Sequence, residues 1–208
     1  SSFCAEDVAL CARHARATVH FEEAFANAGQ GGSVLLYVGA LYFSLNIIAG
    51  WKADADAVGA ALYRGLDTSL LDLRHTDQHE KGTLYRHFWF LMHLYCDAKG
   101  LELDTSKYSY PKDMSPYADV LADWRTPDLA KVQGFVSAMA DFHVQEARTT
   151  AHDEIAEFDT EDRMLFPYEI LAFLRMREWL GLANPEVFEH PLMQQPLAKL
   201  PKDVPLAV

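Results

Sequence analysis

Nine histidines and 30 carboxylates give this 208-residue chain ample material for metal or acid–base chemistry, so their spacing comes first. His75 and His79 stand four apart and share one face if they lie on a helix, with Glu80 beside them. A zinc-protease helix carries its glutamate directly after the first histidine, and here it follows the second. The pair also straddles Thr76, where a helix is expected to begin, so an exposed helix junction is the expectation. His87 and His93 sit among Phe88, Trp89, Phe90, Leu91 and Met92. That setting could suit a haem or cofactor, but a core helix with hydrogen-bonded histidines is far commoner and is the expectation. Nucleophilic catalysis finds no support, because no Gly-x-Ser-x-Gly elbow occurs and no cysteine has an activating sequence context. Gly29, Gly31 and Gly32 lack the Lys-Ser/Thr of a phosphate loop and read as a connector. No catalytic residue, metal or cofactor is expected.

His152 and Asp153, with His143 upstream and Asp159 downstream, resemble a fragment of the His-Asp metal phosphohydrolases, which are helical too. Those enzymes need a third histidine on a distant helix and a later aspartate. Only about fifty proline-rich residues follow here. A helical metal-dependent hydrolase using His143, His152 and Asp153 is therefore the rival reading, and His143 by itself reads as a continuation of its helix's inward stripe. The acidic run says more. Asp153, Glu154, Glu157, Asp159, Glu161 and Asp162 fall within ten residues, with Ile155 and Phe158 between them. A solvated loop or helix end would explain such a run. So would an acidic recognition surface with Phe158 as aromatic anchor, which speeds association with a basic partner. Calcium binding lacks the spacing and the glycine of an EF-hand.

The elements that would carry these residues are helices. Val8, Cys11, Ala15 and Val19 recur at spacings of three and four up to the glycines after Ala28. Ser33 to Trp51 is nineteen residues without a charge. It reaches the length of a membrane span, but Ser44, Asn46 and two glycines favour the buried central helix of a bundle. A third helix is expected from Asp54 as cap to Arg74, with Val58, Leu62, Leu66 and Leu70 inward. A fourth is expected from about Thr76 to Ala98, ended by Gly100. Ser115-Pro116 and Thr126-Pro127 have the cap-then-proline pattern of two further helix starts. The second of these helices carries Leu129, Val132, Val136, Met139 and His143 inward. Pro167 opens a helix closed by Gly181, and Asn184-Pro185 starts a brief helical turn before a proline-rich wrap. No strand pattern or fixed-period repeat is visible. The fold class expected is all-α, a single domain over 1–208 built as a bundle or as stacked helical hairpins.

Composition bounds the partners. The chain is half hydrophobic, enough for a core, and its net charge is −12. The acidity is spread, −5 up to residue 104 and −7 beyond it. Nucleic acid and anionic membrane are disfavoured as partners, because both need clustered Lys or Arg. Three cysteines, Cys4, Cys11 and Cys96, make no disulfide framework and suggest a reducing compartment, hence a cytoplasmic location. No charged-then-apolar leader opens the sequence.

The segment from Leu165 to Leu182 (LFPYEILAFLRMREWLGL), followed by His190 to Leu197 (HPLMQQPL), resembles the C-terminal portion of all-helical bacterial immunity proteins encoded beside polymorphic toxins, such as the immunity protein 49 group. The resemblance covers about a quarter of the chain. It implies a protein that binds a cognate effector toxin and blocks it, with no particular contact residue carried over. The function expected is stoichiometric neutralisation of a basic toxin through Asp153, Glu154, Glu157, Phe158, Asp159, Glu161 and Asp162. A helical adaptor or scaffold is the third alternative.

Overall fold

The computed structural model describes residues 5–71, 85–149, 156–202 and 204; among them the chain is all-helical, with no strand. Helix α1, Ala5–Asn27, buries Val8, Ala15 and Val19 as the three-and-four spacing predicts, but Ala12 takes the inward place expected of Cys11, which is only half-buried. Helix α2, Leu36–Ile48, lies at the centre and packs against α1 and the later helices. Every residue from Phe43 to Ala49 is buried, Ser44 and Asn46 included. The Asn46 side chain donates to the Tyr42 carbonyl one turn earlier, so one of its polar groups is satisfied inside the helix. No helix of the described residues is long and apolar enough to cross a membrane.

Helix α3, Lys52–Gly65, is shorter than its apolar periodicity predicts, and Trp51 rather than Asp54 caps it. Leu66 and Leu70 are buried as expected, but through a turn. Leu70 folds back over Gly65, where a β-carbon would lie 2.7 Å from a Leu70 methyl, and its carbonyl accepts from the Val34 N–H at 2.6 Å. Residues 72–84, including His75, His79 and Glu80, lie outside the described residues.

Helix α4 spans Arg86–Lys99; the start expected near Thr76 lies outside the described residues. Tyr85 precedes it in the left-handed conformation with φ 51°, which no helix can pass through. Its Phe88, Trp89, Phe90, Leu91 and Met92 are all interior, and each such side chain contributes about 1.5–3 kcal/mol by burial. Gly100 adopts a φ of 66° just past α4, and Gly181 one of 74° just past the helix opened by Pro167, as their positions predict.

Helix α5, Tyr117–Ala122, follows Ser115-Pro116 as expected. Helix α6, Leu129–Glu146, starts three residues after Thr126, because Asp128 and not Thr126 accepts from the first free N–H groups, those of Ala130 and Lys131. A single turn, α7, spans Glu161–Met164, and α8 spans Tyr168–Trp179 after Pro167. The expected helical turn after Asn184 is absent. The Asn184 amide donates to the Leu174 carbonyl and its oxygen accepts from Arg177, so this side chain anchors α8 instead of capping a new helix. The proline-rich wrap holds two 3-10 turns, Pro191–Gln194 and Pro196–Ala198. The buried apolar residues of α1 to α6, α8 and the wrap form one core cluster.

Candidate functional site

Two histidine–glutamate pairs lie inside this core, brought together from four separate parts of the chain. His87, on the first turn of α4, faces Glu157, whose Oε2 is 2.8 Å from the ring Nδ1. His143, near the end of α6, faces Glu169 on α8, with Nδ1 2.8 Å from Oε1. All four residues are 0% exposed. Phe158 contacts both imidazoles, with its ring centroid 3.9 Å from that of His143 and 4.9 Å from that of His87. The Tyr168 hydroxyl closes the cluster against His87 Nε2 at 3.1 Å.

Glu157 also holds the start of α4. Its Oε1 accepts from the Arg86 N–H and Nε, and its Oε2 accepts from the His87 N–H. The first N–H groups of a helix have no partner within it, and the helix dipole favours an anion there. Glu157 supplies both acceptor and charge from 71 residues away. Burial raises its pKa, but His87 and then Arg86 more than reverse this and hold the carboxyl at about 2.

His143 is set up to hold a second proton. Nδ1 faces the Glu169 carboxyl at 2.8 Å, and Nε2 faces the Arg163 and Met164 carbonyls at 3.1 and 3.2 Å. Carbonyls only accept, so Nε2 carries a proton, and Glu169 favours another at Nδ1. Burial lowers the imidazole pKa, and the Glu169 charge and hydrogen bond, with the two carbonyls, outweigh it, so the pKa lies above 6.5. A raised folded-state value makes this stabilisation complete below 6.5 and lost as pH climbs through the folded pKa. Urea midpoints of the wild type are therefore expected to fall on the alkaline side of 6.5, with a flatter limb in His143→Gln; equal limbs would contradict the charged pair.

These facts redistribute the residues that the sequence singles out. Glu157 and Phe158, expected on an acidic recognition surface, are interior, because Arg86, His87 and His143 draw them in. Asp159 is half-buried and pairs with Arg163 at 2.5 Å. Glu161 is exposed at the start of α7, and Asp162 lies within that turn. Asp153, Glu154, Ile155 and His152 lie outside the described residues. Among the described residues no three His, Cys, Asp or Glu side chains converge as metal ligands. His93 meets the Tyr110 hydroxyl at 2.9 Å, and burial lowers its pKa. Burial also pushes the Cys96 thiol up to about 11, the opposite of an activated nucleophile.

Above this core the surface opens into a groove of about 890 Å3. Val144 from α6 and Ala147 just past it, Met164 from α7 and Leu165 just past it, and Leu192 from the wrap form its apolar lining, with Glu161 beside them. Val144 is 53% and Leu165 55% exposed. Sequence reasoning missed this groove, because its three walls come from segments with no shared pattern. It also missed Glu169, although a lone carboxylate in the apolar run FPYEILAFL signals a buried partner.

Compared with protein-family models, with curated proteins and with solved structures, the chain finds no match.

Proposed function

We propose that this protein is an immunity-type protein, working in the cytoplasm, that neutralises a cognate effector toxin by stoichiometric binding. The carrying observation is where its charge faces. The carboxylates that go inward, Glu157 and Glu169, have partners beside them: Glu157 the Arg86 guanidinium and the His87 ring, Glu169 the His143 ring. The surplus behind the net charge of −12 therefore belongs to the rest of the chain, including exposed residues such as Glu161 and Asp141. An acidic exterior favours a basic protein partner and raises its association rate. The likeness of 165–197 to toxin-immunity proteins supports the same reading. A toxin with a basic substrate site, such as a nuclease or a nucleotide-using enzyme, would be occluded by such a surface.

Co-expression with the product of the adjacent gene tests this. That product alone is expected to arrest growth, and this protein to restore it and to co-purify in a fixed ratio. The association rate should fall with added salt, since exposed charges are screened within about 10 Å at 0.1 M. A harmless neighbour, or one that does not bind, overturns the reading.

A further inference from the structure

We infer that the groove between α6, α7 and the C-terminal wrap is the docking surface, and that it takes an apolar side chain of a basic protein partner flanked by lysine or arginine. This rests on the binding-protein reading and specifies where the partner sits.

Three observations carry it. First, the groove is apolar where water should favour polar residues. α6 turns Phe142 and His143 inward and leaves Val144 half exposed, and Leu165 is equally open across the groove. Second, its wall is built in advance. The Arg163 and Met164 carbonyls are fixed to His143 Nε2, and the Arg163 guanidinium is held by Asp159 and Thr160 and lies 4.0 Å over the Tyr37 ring. The single turn of α7 is therefore tied to the interior, and a preformed wall spares a partner the cost of ordering it. Third, the charge beside the apolar floor is acidic. Among the described residues the lining holds the carboxylate of Glu161 and neither lysine nor arginine. Asp141, whose side chain is 79% exposed, faces the lining residue His190 at 3.2 Å. An apolar floor with an acidic rim discriminates by charge: it accepts an apolar anchor among cations and repels one among carboxylates.

The test uses the full chain and two synthetic amphipathic helices, one leucine on one face and lysine on the other, the second with glutamate in place of lysine. Methyl NMR is expected to show the Val144, Met164, Leu165 and Leu192 signals shifting with the lysine peptide and not with the glutamate peptide. Val144→Asp and Leu165→Asp, both at exposed positions that tolerate polar side chains, should weaken that binding about 30-fold, the size of a hot-spot loss. Leu10→Asp, on the exposed face of α1, should leave it unchanged. Equal binding of both peptides, shifts confined to the α1 face, no binding, or groove shifts that follow protein concentration without peptide each overturn the inference. The toxin complex then separates the two readings. A toxin bound equally by wild type and by the groove variants leaves neutralisation standing and removes the groove from it. A peptide seated in the groove with no toxin bound leaves the groove standing and removes neutralisation.

Discussion

Replacing Glu157 with leucine is expected to destabilise the protein by about 3–5 kcal/mol, the cost of breaking a buried charge pair from one side. The carboxylate accepts four hydrogen bonds, at 3.0 and 2.9 Å from Arg86 and at 3.2 and 2.8 Å from His87. Leucine fills the space and accepts none of them. The first N–H groups of α4 then lose their acceptor in a dry site, and the guanidinium loses its anion. Glu157→Gln keeps one acceptor oxygen and should cost less. Equilibrium urea unfolding reads both, and a loss under about 1 kcal/mol for the leucine variant would contradict the capping role. The acid limb is a second readout. The folded carboxyl sits near 2 against an ordinary value of 4.5, so its contribution is complete above 4.5 and disappears as pH falls towards 2. That shift corresponds to on the order of 3 kcal/mol, which wild type should lose across the window and Glu157→Gln should not.

The same residue shows where sequence reasoning stops. Most of the inward stripes of α1 and α6 is legible because apolar spacing is a local property, and so are the ends at Gly100 and Gly181; the exceptions are Cys11, only half-buried, and Leu129, expected inward but exposed on the first turn of α6. The start of α4 is not legible. It depends on a left-handed Tyr85 and on an anion 71 residues away, which no window of neighbouring residues contains. The acidic run fails for the same reason. Read as composition, Glu157, Phe158, Asp159 and Glu161 form one surface. In the fold they take three different environments within five positions, because partners on α4 and α6 select Glu157 and Phe158 for the interior and leave Glu161 outside. Charge density along the chain reports an expected surface only when nothing across the core competes for it. His143 was legible as an inward residue, and its location beside a carboxylate in an apolar helix follows from the cost of burying either one alone.

Phe158→Ala is expected to cost about 3–5 kcal/mol, the range for truncating a fully buried aromatic ring. The ring lies on His143 and His87 and meets Phe142 and Tyr168 edge-on, with centroids 6.4 and 6.0 Å away. Truncation leaves a cavity lined by two imidazoles whose carboxylate partners stay fixed on other elements, so collapse around it is restricted. Phe158→Leu, which refills most of the space, should lose less. The contrast with a surface role is direct. A surface anchor would leave stability unchanged within about 0.5 kcal/mol and weaken partner binding. A core ring does the reverse: the variant, kept folded at low temperature and in excess of its midpoint requirement, binds a partner as wild type does. A double-mutant cycle with His143→Gln gives the stacking itself: the double variant is expected to lose about 0.5–1.5 kcal/mol less than the sum of the separate losses. A stable Phe158→Ala protein with impaired binding would put the ring back at the interface, where the acidic run alone had placed it.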